Sequence, residues 1–189
     1  MAHKEQWDFC KKVKSRFSEH FTNSRVLDIG SFDVNGNEEF LFADCEFYGL
    51  DLAPGDGVDI VCPAQDHNAP NDYYDTIISC ECWEHNPYYK ESIVNCVRML
   101  KPGGLFLFTC ATTGRPPHGV GYLEEGCSKE YKDWKSLPNT YIEGWDHDYY
   151  RNVTESDIRS AIDIGDIFKE YEFEINSDHH DLYFWGIKK

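Results

Sequence analysis

Short apolar segments that end in glycine, cysteine or an acid alternate with helical segments along this chain. Arg25–Gly30, Glu46–Asp51 and Asp75–Cys80 have the length and composition of buried strands. Leu105–Cys110 is almost continuously apolar, which is typical of a strand covered on both faces of a sheet. This alternation predicts an α/β fold with a mostly parallel, doubly wound sheet.

The segments between these strands carry helix signals. Apolar residues recur every four positions from Lys4 to about Phe21, which predicts an amphipathic helix. A second helix over about Tyr88–Leu100 is stopped by the turn Lys101-Pro-Gly-Gly104. Thr154-Glu-Ser-Asp157 has the pattern of an N-terminal cap, so it predicts a helix that continues to about Ile164.

The remaining predicted elements are shorter or lie at the C-terminus. Val58–Cys62 predicts a third strand, and Glu38–Phe42 predicts a short helix. Phe168–Ile175 and Leu182–Lys188 predict two final strands that form a hairpin. Because this closing pair breaks the alternation, we expect it to place an antiparallel C-terminal strand in the otherwise parallel sheet.

The length of 189 residues suits one domain, taken here as 1–189. Residues 111–150 differ from the rest, because they are rich in Gly, Pro, Tyr and Trp and show little periodicity. A long irregular segment in a compact domain is usually functional. We therefore predict that 111–150 is a substrate lid, with a partner interface as the alternative.

The charge balance is acidic, with a net charge of -16 from 18 basic and 34 acidic residues. Phosphates would be repelled, so a nucleic-acid partner is not expected, and neither is an anionic membrane surface. Since no apolar stretch suggests a signal peptide or a membrane span, we expect a cytoplasmic protein. The eight cysteines lack the spacing of a zinc site and predict free thiols.

Polar residues and a glycine stand at the ends of the first two predicted strands. Ligands of open α/β sheets bind beyond the carboxyl ends of the strands, near the point where the strand order reverses. Gly30 would let a ligand approach the backbone closely, and Asp51 could accept both hydroxyls of a ribose. A lone aspartate at a strand end is as often a turn or helix cap. The Asp-x-Gly motif at Asp28 and the later Lys101-Pro-Gly-Gly104 favour a nucleoside ligand.

Four motifs in this order and spacing resemble the class I S-adenosylmethionine-dependent methyltransferases. The matching segments are Val26-Leu-Asp-Ile-Gly30, Tyr48-Gly-Leu-Asp51, Tyr74-Asp-Thr-Ile-Ile-Ser79 and Leu100-Lys-Pro-Gly-Gly104. The resemblance covers roughly Arg25 to Thr109. It implies a Rossmann-like sheet, S-adenosylmethionine as the cofactor, and methyl transfer as the activity.

The resemblance also implies a role for the residues at the strand ends. Asp28, Gly30 and Ser31 would surround the methionine end of the cofactor. Asp51 would hold the ribose, and Leu52 would pack on the adenine ring.

Three further residues would complete the cofactor site by the same resemblance. The backbone of Ala64 and Gln65 would meet the edge of the adenine ring, and Cys80 would line the path to the methyl group. Pro63 stands where the family often has an acid that binds the adenine amino group, and Asp66 could replace that acid.

The first loop also departs from the usual pattern of the family, in which glycines follow closely behind the first one. Here Phe32-Asp-Val-Asn35 intervenes before Gly36. A subset of the family reads Gly-Ser-x-Asp-Val-Asn-Gly, so we interpret the loop as a variant.

Glu84 and His85 follow the fourth predicted strand and are the candidate catalytic residues. Methyl transfer from a sulfonium is an in-line displacement, so the enzyme mainly aligns the donor and the acceptor. A hydroxyl or amine acceptor also loses a proton, and an imidazole with an ordinary pKa of about 6.5 suits that task. Alternatively, the pair merely caps or orients the next helix.

Glu81-Cys-Trp-Glu84-His85 is similar to the metal-binding motif of ubiquinone-pathway O-methyltransferases and small-RNA 2′-O-methyltransferases. The similarity implies that two carboxylates and an imidazole could hold a divalent cation that polarises a hydroxyl acceptor. His118 or His147 could complete such a site. The alternative is that Glu81 is a satisfied acid near the cofactor amine, and the acidic charge disfavours an RNA acceptor.

The expected function is therefore the O- or N-methylation of a small molecule. A regulator that binds the cofactor without turnover is the alternative from another class. An NAD-binding domain is disfavoured because only Gly30 and Gly36 stand where Gly-x-Gly-x-x-Gly is required. Arg115 could clamp a carboxylate or phosphate of the substrate, or it could form a surface salt bridge.

Overall fold

The computed structural model describes residues 4–33, 36–118 and 149–189. Seven strands form one sheet. They are β1 (Arg25–Ile29), β2 (Glu46–Asp51), β3 (Ile60–Val61), β4 (Tyr74–Cys80), β5 (Leu100–Ala111), β6 (Phe168–Asn176) and β7 (Asp181–Lys188). Their spatial order is β3-β2-β1-β4-β5-β7-β6.

Four α-helices flank this sheet in the described part of the chain. They are α1 (Lys4–Arg16), α2 (Tyr89–Met99), α3 (Glu155–Ala161) and α4 (Ile164–Ile167). The capping box predicted for α3 is present, because the hydroxyl of Thr154 accepts from the backbone N–H of Asp157, whose carboxylate accepts from the N–H of Thr154. These two hydrogen bonds satisfy backbone donors that would otherwise be unpaired at the helix start.

The strand directions confirm the expected fold class. Strands β1 to β5 pair in parallel, and β7 pairs antiparallel with both β5 and β6. Strand β1 lies between β2 and β4, so the strand order reverses between β1 and β4. The molecule is thus a Rossmann-like, doubly wound and mostly parallel sheet with an antiparallel C-terminal strand, and its ligand crevice is expected at the reversal.

Two apolar clusters cover the two faces of the sheet, because successive strand side chains point to opposite faces. Val26 packs with Phe9 and Val13 of α1, whereas Leu27 packs with Ile93 of α2 on the other face. Each of these side chains is almost fully buried, and each such burial contributes about 1.5–3 kcal/mol. Helices therefore cover both faces of the sheet at β1, and we expect a ligand beyond the carboxyl ends of the strands.

Several predicted boundaries were wrong at the ends. Helix α1 ends at Arg16, and the chain tightens into a 3-10 helix over Ser18–Phe21, which still buries Phe21. The predicted short helix is a 3-10 helix over Glu39–Leu41, and β3 is only two residues long. Strand β5 starts at Leu100 instead of Leu105, because Leu100 already pairs with Tyr74 across a bulge.

The helix after Thr154 is also shorter than predicted. It ends at Ala161, and Asp163 caps the separate short helix α4 by accepting from the N–H of Asp166. Two caps close together explain why one continuous periodic pattern became two helices.

Most of the predicted lid, including His147, lies outside the described residues, which stop at His118 and resume at Tyr149. Ala111, the first lid residue by prediction, is the last residue of β5. A single domain with an inserted lid therefore stays a prediction.

The sequence also predicts that the cysteines are free thiols and that no segment spans a membrane. All seven cysteines in the described ranges are free thiols. Among the described helices, none has the length and apolarity that crossing a bilayer requires.

Candidate active site

Gly30 brings the loops after β1 and β4 into direct contact. Its φ of +82° is in the left-handed region, and its N–H donates to the carbonyl of Leu50 at 2.8 Å. A Cβ atom on Gly30 would lie 2.8 Å from the Cβ of Cys82, which is closer than such atoms approach in proteins. Glycine is therefore required here both by the backbone conformation and by space.

Asp51, the last residue of β2, ties the loops after β1 and β2 together. Its Oδ1 accepts from the N–H groups of Leu52 at 2.6 Å and Ala53 at 3.4 Å, and its Oδ2 accepts from the N–H of Phe32 at 3.3 Å. Burial raises the pKa of Asp51, although these three hydrogen bonds favour its charged form. A carboxylate has about four lone-pair sites, so this capping role leaves acceptor capacity for a ligand.

Asp28 of β1 and Glu38, in the segment after β1, carry two neighbouring buried carboxyl groups. Asp28 is 1% exposed, and its Oδ2 has no hydrogen-bond partner among the described residues, as is also true of Glu38 Oε1. Burial, and then the negative charges of Glu38 and Asp51, raise the pKa of Asp28 well above its ordinary value. A cationic ligand group would relieve this repulsion and donate hydrogen bonds to the vacant carboxylate oxygens.

Ser31, just after β1, and Cys80, the last residue of β4, stand at the carboxyl ends of two neighbouring strands. Ser31 is buried and its hydroxyl has no partner in the described ranges, while a Cβ on Gly49 would lie 2.6 Å from that hydroxyl oxygen. Cys80 ends β4 with its Sγ 3.9 Å from the Sγ of Cys10 in α1. Ser31 is thus packed against β2, and Cys80 against α1.

Ala64 and Gln65 lie in a 3-10 helix that is fastened to α2. The carbonyl of Ala64 accepts from the side chain of Asn95 at 2.8 Å, and the side-chain oxygen of Gln65 accepts from the hydroxyl of Ser92 at 3.3 Å. Asp66 is exposed. Leu52 is half-buried just after β2.

Glu81 and Glu84 form a second buried acidic group, on the loop after β4. Their side chains are 1% and 0% exposed, and Glu81 has a φ of +55°, which is uncommon for a residue with a side chain. The N–H of Ala111 donates to Glu84 Oε1 at 3.2 Å, whereas Glu84 Oε2 and Glu81 Oε1 have no hydrogen-bond partner in the described part of the chain. Burial raises the pKa of both carboxyl groups.

Three ring side chains surround this acidic group. The rings of His85, His118 and Tyr150 contact one another edge to face, with centroids 5.1–5.4 Å apart. His118 Nε2 lies 3.9 Å from Glu84 Oε1. One potential ligand atom from each of Glu84, His85 and His118 lies within 4.8 Å of the others, so the three side chains could share one cation.

Burial changes the acid–base behaviour expected of His85. It lowers the pKa of His85 to about 3, and the nearby His118 contributes in the same direction. The imidazole is thus neutral at pH 7. A neutral imidazole with so low a pKa is a weak base, but it has the form that binds a metal ion.

The family model described as a methyltransferase domain matches residues 1–177. The chain belongs to this methyltransferase family. The resemblance found in the sequence is thereby confirmed, with S-adenosylmethionine as the cofactor of the family. No curated protein matches the chain significantly.

Solved structures show how widely the fold of this methyltransferase is shared. It superposes on phosphoethanolamine N-methyltransferase 2 of Haemonchus contortus, crystallised with S-adenosylmethionine, with a TM-score of 0.60 and 16% identity over 96% of this chain and 52% of that one. The chain therefore spans about half the length of that protein. The 1,6-didemethyltoxoflavin-N1-methyltransferase of Burkholderia thailandensis gives a TM-score of 0.56 and 14% identity over 100% and 92% of the two chains. The YcgJ protein of Bacillus subtilis gives a TM-score of 0.56 and 12% identity over 94% of this chain and 97% of that one.

The structure places Arg115 of the methyltransferase differently from both roles considered above. Its Nη1 donates to Asp181 Oδ1 at 2.8 Å and to the carbonyl of His179 at 2.6 Å, and its Nη2 lies 3.9 Å from Glu81 Oε2. Its side chain is only 21% exposed. The guanidinium is therefore engaged by the protein's own groups, so it is neither a free clamp for an anionic substrate nor a surface salt bridge.

Sequence reasoning missed two buried acids beside these groups, Glu38 near Asp28 and Asp181 on Arg115. Glu38 lies in the irregular segment after Gly36, where it reads as part of an ordinary acidic helix start. Asp181 is distant in sequence and reaches the site only because β7 pairs with β5, so that it stands opposite Ala111. The one available signal for Asp181 was an acid directly before the last predicted strand.

Proposed function

We propose that this methyltransferase transfers the methyl group of S-adenosylmethionine to an oxygen or nitrogen atom of a small-molecule acceptor. The observation that carries the proposal is the presence of two groups of residues, each with a buried carboxyl group, beyond the carboxyl ends of the central strands. The first group is the buried Asp28 with the half-buried Gly30 and Asp51, at the reversal of strand order. The second is the buried Glu84 with the half-buried His85, on the loop after β4. The first group suits the donor and the second suits the acceptor.

Asp28, Gly30 and Ser31 would hold the methionine end of the donor. Asp28 Oδ2 and the hydroxyl of Ser31 are buried without hydrogen-bond partners among the described residues, and Gly30 leaves room where a side chain would clash. Glu38 would join them, because its Oε1 is also buried without a hydrogen-bond partner among the described residues. A carboxyl pair of this kind suits the ammonium group of the cofactor.

Asp51 would hold the ribose with the acceptor sites that its backbone hydrogen bonds leave open. Leu52 would pack on the adenine ring. The backbone of Ala64 and Gln65, fastened to α2, would meet the edge of that ring, and Cys80 would line the path toward the methyl group.

Glu84 and His85 would act on the acceptor. Correct alignment of two reactants can provide about 7–11 kcal/mol of the barrier reduction, so their first task is positioning. Where the acceptor must lose a proton, Glu84 is the better base, because burial raises its pKa while it lowers that of His85. His85 would orient the acceptor beside it.

A metal-assisted O-methyltransferase is the second candidate, and one specific observation favours it. Glu84, His85 and His118 offer ligand atoms within 4.8 Å of one another, and Glu81 adds a buried carboxylate oxygen without a hydrogen-bond partner in the described ranges. Carboxylates with neutral imidazoles fit a divalent cation such as Mn²⁺, Fe²⁺ or Zn²⁺. When bound, the cation would polarise a hydroxyl acceptor and lower its pKa.

The small-molecule class is supported by charge and by fold neighbours. The Haemonchus and Burkholderia proteins were crystallised with phosphomonomethylethanolamine and 1,6-didemethyltoxoflavin, respectively. The net charge of -16 opposes a nucleic-acid acceptor.

Two measurements test the proposal. Calorimetry with S-adenosylmethionine, S-adenosylhomocysteine and NAD should show binding of the first two only. A donor-consumption assay over panels of alcohols, phenols and amines should then find turnover, and binding without turnover on every panel would favour the regulator instead. Running the assay with EDTA, and then with added Mn²⁺ or Mg²⁺, separates the two candidates, because only the metal-assisted enzyme loses activity to the chelator and regains it.

A further inference from the structure

We propose that Arg115 is a positioning residue for methyl transfer, which holds His118 against Glu84 through its ion pair with Asp181. The inference rests on the proposed function, since it concerns the acceptor side of the same site. It holds for either candidate, because His118 lies at the acceptor side in both.

The segment from Thr112 to His118 leaves β5 and runs against the turn between β6 and β7. The N–H of Thr112 donates to the carbonyl of His180 at 2.8 Å. Arg115 adds its hydrogen bonds to the carbonyl of His179 and to the carboxylate of Asp181. Backbone and side-chain contacts therefore fasten the segment to the turn at two successive points.

Close packing reinforces this attachment at Gly114. A Cβ atom on Gly114 would lie 2.6 Å from Nδ1 of His180, and the φ of Gly114 is +99°. Only glycine lets the segment lie this close to the turn. The segment therefore has a defined place before it reaches His118.

The ion pair between Arg115 and Asp181 is held in place by the surroundings of Asp181. Asp181 is 0% exposed, and its other oxygen accepts from the hydroxyl of Tyr183 at 3.3 Å. Removing one member of a buried ion pair leaves the other charge uncompensated, which is strongly destabilising for that arrangement. The Arg115 guanidinium thus cannot shift without breaking an ion pair of the buried Asp181.

Arg115 also reaches the acidic group directly. Its Nη2 lies 3.9 Å from Glu81, and three residues further along the chain His118 lies 3.9 Å from Glu84. The carbonyl of Arg115 accepts from the side chain of Asn152 at 3.0 Å, which ties in the segment before α3. One residue therefore joins the loop after β4, the segment after β5 and the β6–β7 turn around the acceptor side.

The test compares Arg115→Gln and Arg115→Lys in the full chain with the control Arg159→Gln, which breaks an exposed ion pair with Glu155 on α3. Imidazole NMR of histidine-labelled protein reports on His118, whose resonance is assigned by its loss in His118→Ala. We expect Arg115→Gln to shift that resonance, Arg115→Lys to shift it less, and Arg159→Gln to leave it unchanged. Melting temperatures establish which variants are folded, and if Arg115→Gln does not fold, Arg115→Lys and Asp181→Asn carry the comparison.

Kinetics with the acceptor found in the panels completes the test. A positioning role predicts that kcat falls by about 10- to 100-fold in Arg115→Gln, with partial recovery in Arg115→Lys, because misplacement of about 1 Å can have that effect. The Kd for S-adenosylmethionine should stay within about twofold of the original value. An unchanged His118 resonance in a folded variant would overturn the proposal, and so would a rise in KM alone, which would indicate a substrate clamp. If the unmodified protein did not bind S-adenosylmethionine at all, that result would instead refute the proposed function.

Discussion

Gly30 and Cys82 approach so closely that a methyl group on Gly30 would lie 2.8 Å from the Cβ of Cys82. This contact joins the loop after β1, which is proposed to hold the donor, to the loop that carries Glu84 and His85. The spacing between the two halves of the site therefore depends on the absence of one side chain.

Gly30→Ala should weaken the binding of S-adenosylmethionine by at least about tenfold, because the new methyl group pushes the two loops apart. Gly103→Ala is the matched control. Gly103 has a similar φ of +76°, but no atom lies within 4 Å of the methyl group that alanine would add. The Gly103→Ala variant therefore incurs only the backbone strain, about 1–2 kcal/mol. Calorimetry and melting temperatures measure both effects. Equal losses of affinity in the two variants would contradict the expectation.

Asp51→Ala should weaken the binding of S-adenosylmethionine by at least about tenfold while the protein still folds. A hydrogen bond to a charged group contributes about 1.5–3 kcal/mol, and the acceptor site that the three backbone hydrogen bonds leave open to the ribose would be lost. Asp59→Ala provides the control. Asp59 also accepts from a backbone N–H of β2, that of Gly49 at 2.9 Å, but no ligand contact is proposed for it. That variant should lower the melting temperature and leave the Kd unchanged. Normal affinity in Asp51→Ala would remove the proposed ribose contact.

Asp28→Asn should stabilise the protein without cofactor at pH 8 and weaken cofactor binding. The pKa of Asp28 in the folded state is raised by burial and by Glu38 and Asp51, so folding is favoured by its protonated form. The contribution of Asp28 to stability is therefore complete below its unfolded pKa and is lost as the pH rises through the folded pKa. Asparagine is neutral at every pH and avoids this loss.

Calorimetric melting of both proteins between pH 4 and pH 9 measures the effect. The melting temperature of Asp28→Asn should exceed that of the original protein increasingly with pH, and about 1 kcal/mol corresponds to roughly 2–4 °C for a chain of this size. A lower melting temperature of the variant at pH 8 would show that the charged carboxylate is instead stabilised by the fold.

Glu84→Gln and His85→Ala should each reduce turnover more than they change the Kd for S-adenosylmethionine, because both side chains lie on the acceptor side. Glu84→Gln should have the larger effect on an acceptor that must lose a proton, since burial makes Glu84 the stronger base. His67→Ala is the control, as its ring contacts the hydroxyl of Tyr74 at 2.9 Å. Turnover equal to that of the original protein in both site variants would exclude them from the reaction.

Local patterns determined much of this fold. The apolar segments around Asp28, Asp51 and Cys80 specify buried strands whatever surrounds them, and parallel strands must then present their carboxyl ends at one edge. The cap at Thr154 is likewise encoded within four residues. For this reason the fold class and the proposed donor residues could be predicted from the order of residues along the chain.

Tertiary structure decided what depends on contacts between distant segments. Asp181 comes within hydrogen-bonding distance of Arg115 only because β7 pairs antiparallel with β5, and no pattern around either residue encodes that pairing. The pKa of His85 departs from its ordinary value because packing around the half-buried ring reduces its contact with water. Periodicity reports which side of an element is apolar, whereas burial and the meeting of charges depend on which elements pack together, and that is fixed only when the whole chain has folded.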